Sequence, residues 1–246
     1  MEEEAHWFDS EGDRLFGILH RPEESRGLVL ILHGFTGDHI GSNYYFVDLA
    51  RKLSDSGFSV FRFDYAGSGN SEGVFREQGL DRTVRDAGNA LEYLEDVGAV
   101  TRPLSLVGHS KGGSTAILLA GEREVDSMVM WSTVSSYRDL WTEEEIENVE
   151  EEDTLTLYGF RWDAERAFEE FEYDFPDRVS DLEIPTLFIH GEKDGSVPPE
   201  HSEELYESSS EPKDLLKLEN SDHLFSDPGE REKLIERTVD WIGRTV

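Results

Sequence analysis

The sequence predicts an α/β fold: a mostly parallel eight-stranded sheet with helices on both faces, opened by an antiparallel hairpin and interrupted by one long insertion. Three observations carry this reading. Short apolar runs alternate with amphipathic segments along the 246 residues, the pattern of strands and helices in turn. The runs are continuous rather than alternating in polarity, as strands covered on both faces require. After Trp131 the alternation stops for about fifty residues, far beyond the ~2–6 residues usual between elements of such sheets.

In chain order, His6-Trp7-Phe8 and Leu15-Phe16-Gly17-Ile18-Leu19 flank the turn signal Glu11-Gly12-Asp13 and form the opening hairpin. Leu28–Leu32 and Ser59–Phe63 read as buried strands, followed by strands over 104–107, 128–131, 186–189 and 215–218. Between them, Tyr45, Phe46, Leu49, Ala50 and Leu53 recur at helical spacing, as do Val84, Ala87, Leu91 and Leu94. Each set gives one apolar stripe against the sheet. The insertion, 132–182, opens with an acidic stretch from Glu143 to Asp153. It then turns aromatic with Tyr158, Phe160, Trp162, Phe168, Phe171, Tyr173 and Phe175. A lid over a site, with a small aromatic core of its own, is the expectation. The whole chain, 1–246, is expected to form a single domain carrying this cap.

The chain carries 55 Asp+Glu against 23 Lys+Arg, a formal charge of −32, which repels nucleic acid and anionic lipid. With 14 Phe, 8 Tyr and 5 Trp it has the burial that disordered acidic chains lack, so the acid must coat a folded surface. Such a surface suits molar salt, where the Debye length falls to ~3 Å, and a halophilic setting is the expectation. Met1-Glu2-Glu3-Glu4-Ala5 shows no signal-peptide character, so a cytoplasmic location is expected. No apolar run reaches the ~18 residues of a membrane span. Cysteine is absent, which excludes disulfides and a thiolate nucleophile.

Gly108-His109-Ser110-Lys111-Gly112-Gly113 lies where the strand over 104–107 ends and the apolar helical run Ala116-Ile117-Leu118-Leu119-Ala120 begins. A sharp strand-to-helix turn exposes a serine hydroxyl for attack on an acyl carbon, and flanking glycines remove the Cβ atoms that would clash there. Where a serine sits at such a turn, acid and base follow in the chain order Ser, Asp or Glu, His. His223, in Asn220-Ser221-Asp222-His223 after the last strand, is the candidate base. His33, His109, His190 and His201 read as structural. Asp194, after the strand over 186–189, is the candidate orienting acid; Glu192 is its competitor, and Asp222 is a lesser one. The exit of the preceding strand, Trp131-Ser132-Thr133-Val134, offers no carboxylate. One oxyanion donor is the Lys111 amide, next to the nucleophile.

On these motifs, together with His33-Gly34-Phe35-Thr36-Gly37 and Phe63-Asp64-Tyr65-Ala66-Gly67-Ser68-Gly69-Asn70-Ser71-Glu72-Gly73, the chain resembles the α/β-hydrolase superfamily. Within it, the chain is similar to small cinnamoyl/feruloyl esterase-like carboxylesterases. The resemblance implies ester hydrolysis through an acyl-enzyme, Phe35 N–H as second oxyanion donor, no cofactor and no metal, and a short lid after the sixth strand. Such esterases often carry Gln where Lys111 stands, and the lid offers no matched residues for a phenolic hydroxyl. The expected ligand is a small-molecule ester with a small to medium acyl or aromatic group. A thioesterase or aminopeptidase with the same triad, or a non-catalytic ligand-binding protein, are the alternatives.

Overall fold

The computed structural model describes residues 2–99, 102–151 and 153–246. Eight strands form one sheet in the order β1-β2-β4-β3-β5-β6-β9-β10. β1 (Glu2–Ser10) and β2 (Asp13–Arg21) are the antiparallel hairpin, in register at Trp7 and Phe16. Both strands run further than the sequence reading placed them. β2 pairs antiparallel with β4 (Ser59–Phe63), Gly17 facing Phe63. From there β3 (Leu28–Leu32), β5 (Leu104–His109), β6 (Ser127–Trp131), β9 (Thr186–Gly191) and β10 (Lys213–Leu218) all run parallel.

The strands read as unbroken apolar runs because their alternate residues enter two different cores. Leu28, Leu30 and Leu32 of β3 pack into one core with α2 (Leu80–Asp96) and α3 (Lys111–Glu122). Val29 and Ile31 enter the other, with α1 (Tyr45–Asp55) and α8 (Pro228–Thr245). Met128 and Met130 of β6 face the first core, Val129 and Trp131 the second. Each such side chain contributes roughly 1.5–3 kcal/mol on burial, so a break in any run would be felt on one face of the sheet at once. The helical stripes foreseen at Tyr45 to Leu53 and Val84 to Leu94 are buried against the sheet. A further helix, α7 (Glu200–Ser208), lies between β9 and β10.

Between β6 and β9 lie α4 (Glu143–Glu151), a two-stranded hairpin of β7 (Thr154–Leu157) and β8 (Phe160–Asp163), α5 (Ala164–Glu170) and α6 (Phe175–Ser180). Despite this excursion β6 and β9 are hydrogen-bonded neighbours, Met128 opposite Thr186 and Trp131 opposite Ile189. The segment therefore leaves at the carboxyl end of β6, where ligands of parallel sheets bind, and crosses back to the amino end of β9. Among the described residues no helix is long and apolar enough to cross a membrane.

Candidate active site

β5 runs directly into α3, and Ser110 is the residue between them, at φ 54° and ψ −122°. A non-glycine residue held there stores on the order of 1–3 kcal/mol, and the surroundings enforce it. The Ser110 amide donates to Trp131 O (2.8 Å), and its carbonyl accepts from the Gly113 amide (2.9 Å). A Cβ at Gly108 would lie 2.4 Å from Gly112 O, and one at Gly112 would lie 2.1 Å from Leu32 O. Those two glycines let the helix close onto the strand end, and the turn follows.

His223, in the loop after β10, points Nδ1 at Asp194 Oδ2 at 2.7 Å. Nδ1 must carry the proton, since the carboxylate can only accept, which leaves the Nε2 lone pair available in the neutral ring. Asp194 is fixed from both sides. Its Oδ1 accepts from the amides of Ser196 (2.9 Å) and Val197 (2.8 Å), while His190 Nε2 lies 3.2 Å from Oδ2. Burial pushes the Asp194 carboxyl up, but the bonds from His190 and His223 outweigh it and hold the group below the ordinary carboxylate range. Of the competitors, Glu192 is exposed, and Asp222 Oδ1 caps the loop by accepting from the Leu224 and Ser226 amides. His201 holds Ser135, its Nδ1 lying 2.7 Å from Ser135 Oγ.

Two histidines read as structural from sequence sit against the site. His190 holds Asp194, as above. His109 accepts from the Tyr45 hydroxyl at Nδ1 (3.2 Å) and donates from Nε2 to the His223 carbonyl (2.9 Å). Burial first, and the neighbouring His223 next, lower its pKa to about 3, so it stays neutral in this role. Only His109 depends on distant partners, Tyr45 and His223; Asp194 lies four residues after His190, and what sequence did not show is how the intervening loop turns back.

The loop after β3 is fixed by the motif around Asp64. His33 donates from Nδ1 to Gly34 O (2.8 Å) and accepts at Nε2 from the Tyr65 amide (3.2 Å). Asp64 Oδ1 accepts from the His39 amide (2.7 Å) and ring (2.8 Å), and Oδ2 from the Asn70 amide (2.8 Å). Among the described residues no group accepts from the Phe35 amide. Lys111 opens α3, where the first amides have no intrahelical partner.

Ser110, His223, Phe35 and Lys111 line one cavity of about 650 Å³. No hydrogen bond joins Ser110 to His223 among the described residues; such bonds commonly tighten only when substrate arrives. The 132–182 segment supplies one wall, including Tyr137, Trp141, Leu157, Trp162 and Phe171. Phe35 packs on Trp162 at 4.9 Å and on Phe75 at 5.2 Å between ring centres. The Trp162 indole donates to Gln78 O (2.6 Å), which ties this wall to the sheet side.

In the sequence argument the Lys111 side chain counted only as a departure from the Gln of similar esterases, one that bears on substrate preference, and no partner was foreseen for it. The ammonium, 4% exposed, bonds to Glu170 Oε1 of α5, itself 2% exposed. It lies 5.2 Å from the Phe35 ring centre and 5.0 Å from that of Trp162. Burial raises the Glu170 pKa, and Lys111 opposes the rise. The signal was present but faint: Glu170 shares a helical stripe with Ala164, Ala167 and Phe171, all buried.

A solved structure of an α/β hydrolase, GrgF from Penicillium sp. sh18, superposes with a TM-score of 0.82 at 16% identity, covering 100% of this chain and 99% of that one. This chain has the α/β-hydrolase fold. Est1E from Butyrivibrio proteoclasticus, solved with ferulic acid bound, superposes on the same fold with a TM-score of 0.86 at 22% identity, over 98% of this chain and 99% of the other. The family described as serine aminopeptidase, S33 matches residues 23–143 of this hydrolase-fold chain, a stretch that holds Ser110 and Phe35 but ends before Asp194 and His223. The uncharacterized protein YfhR of Escherichia coli (strain K12) is 31% identical over 195 residues, which are 77% of this chain and 62% of YfhR. The chain thus spans about three fifths of that relative's length.

Proposed function

We propose that the chain is a serine hydrolase of carboxylic esters, with Ser110 as nucleophile. His223 takes the Ser110 proton at Nε2, the hydroxyl oxygen bonds to the carbonyl carbon, and the Phe35 and Lys111 amides receive the oxyanion. Collapse expels the alcohol, protonated by His223. Water, deprotonated by the same ring, then cleaves the acyl-enzyme and restores Ser110. Asp194 holds the ring in the tautomer with Nε2 free. The 132–182 segment acts as a lid that excludes water and shapes the substrate cavity, whose aromatic lining suits an apolar acyl or alcohol group.

The observation that carries this reading is the His223–Asp194 bond at 2.7 Å on the cavity that the strained Ser110 turn also lines. The test is hydrolysis of p-nitrophenyl esters of graded acyl length, with a fluorophosphonate probe in parallel. We expect turnover and labelling in the wild type and neither in Ser110→Ala. Labelling retained by that variant, or a wild type inert to probe and esters alike, would refute it. The matched family's description favours a second reading, cleavage of an amino-terminal peptide bond. An aminoacyl p-nitroanilide hydrolysed faster than any ester would select it.

A further inference from the structure

The cavity has an unusual charge balance. Among the described residues Lys111 is the one Lys or Arg on its wall, whereas Asp38, Glu145 and Glu170 are its acidic residues. Lys111 is committed: its ammonium is bonded to Glu170, and both side chains are almost wholly buried. A pair that shares one proton carries no net charge whichever partner holds it, so the only cation in the cavity is cancelled at the base of the wall. His223 is neutral while it acts as base, and His109 is held neutral by burial. What remains for a ligand is aromatic surface, polar backbone and two carboxylates bonded to loop donors but, among the described residues, to no cation, Asp38 to the Ile40 and Gly41 amides and Glu145 to Thr142, on a chain of formal charge −32.

We infer that Glu170 is a specificity-determining residue, which by occupying Lys111 makes the site select uncharged esters and reject those carrying a carboxylate or phosphate on the acyl or alkoxy group. This rests on the esterase reading above and adds the class of substrate to it. An anionic group entering the cavity loses water, finds no free ammonium to replace it, and meets negative charge at Asp38 and Glu145. An uncharged group loses far less. The aromatic faces of Phe35 and Trp162 that hold the Lys111 ammonium also leave it poised: remove the carboxylate opposite, and a buried cation is released toward the cavity.

Three p-nitrophenyl esters with one leaving group and similar acyl size test this: the butyrate, the hemisuccinate, and a 4-(trimethylammonio)butyrate. In 0.1 M salt the wild type is expected to prefer butyrate to hemisuccinate by ~100-fold or more in kcat/KM. At least about tenfold should persist in molar salt, because salt screens the repulsion by the exposed Glu145 but does not remove the cost of stripping water from the anion. The cationic ester should lie between them, since desolvation alone would penalise both ions alike. Glu170→Gln, nearly the same shape, should raise the hemisuccinate-to-butyrate ratio by about tenfold, and Lys111→Gln should lower it. Equal rates on butyrate and hemisuccinate in the wild type would overturn the inference without any variant needing to fold. So would a Glu170→Gln enzyme that hydrolyses butyrate with the wild-type ratio. A wild type inert to all three esters and to the fluorophosphonate probe is a different failure, that of the esterase reading, and the selectivity falls with it.

Discussion

Replacing Asp194 by Asn isolates the consequence of one bond. Oδ1 accepts two amides, from Ser196 and Val197, so the Asn oxygen must take that position and its NH2 must take the place of Oδ2. The NH2 then faces His223 Nδ1, which at 2.7 Å can only accept from it. The ring is driven to the tautomer with the proton on Nε2, turned toward Ser110 as a donor when a proton acceptor is needed. His190 offers no relief, because its Nε2–H, shared between Val197 O at 2.9 Å and Oδ2 at 3.2 Å, cannot accept from the new NH2. The same exchange in the serine-protease triad costs ~10⁴ in kcat, about 5.5 kcal/mol of transition-state stabilisation. We expect a loss of that order in kcat/KM for p-nitrophenyl butyrate at neutral pH, with KM little changed and a cooperative thermal transition retained. Pre-steady-state kinetics should show acylation slowed and no burst. A folded Asp194→Asn enzyme within about tenfold of wild type would show that Asp194 does not set the His223 tautomer.

Three further outcomes follow from the geometry. Gly112→Ala places a methyl 2.1 Å from Leu32 O, against backbone that cannot swing aside, and should destabilise by at least the ~1–3 kcal/mol of overpacking, read as a lower denaturation midpoint and weaker probe labelling. His20 and His109 are buried with pKa values lowered from 6.5 to about 4 and about 3. The unfolded chain therefore binds protons first as pH falls below 6.5, so each histidine removes up to about 1.4 kcal/mol of stability per pH unit down to its folded value; urea titrations at pH 7.5 and 5 should show the loss, and His109→Gln should reduce it. The charge of −32 predicts a melting temperature that climbs with KCl to molar concentrations, and full stability in dilute buffer would refute the high-salt setting.

The sheet was legible because its inner parallel strands are buried on both faces and so write apolar runs, β3 most plainly, whereas the edge strand β10 is only half-buried and carries Lys213, Asp214 and Lys217. The Ser110 turn was legible for a related reason: its constraints act between residues a few positions apart, at Gly108 and Gly112, so they appear as spacing. Asp194 and His223 were singled out through the loops that carry them, and the structure brings the two side chains to 2.7 Å. Glu170 was not, because in a chain with 55 acidic residues one buried glutamate looks like the rest, and its burial is decided by a lysine 59 positions earlier. His190 lies in a strand whose residues are all buried, so no alternation marks it, and its bond to Asp194 depends on how the following loop turns back. Long-range partners leave little trace in a single sequence.

The direct pairing of β6 with β9 leaves most of the 132–182 segment outside the hydrogen-bonded sheet, although its α6 completes the crossover and buries Phe175 and Val179 in the core. Such an arrangement separates the inheritance of chemistry from the inheritance of substrate range: the strand ends can stay fixed while the segment is exchanged, lengthened or rebuilt. Ties across the boundary limit that freedom, among them the Trp162–Gln78 bond and the Lys111–Glu170 pair. Lys111 belongs to the sheet side and Glu170 to the inserted segment, so any replacement segment must bring its own acceptor for a buried ammonium or arrive together with a change at 111. A transplanted segment without such an acceptor would be rejected by the scaffold that receives it, and the pair is where the two histories would have to be reconciled.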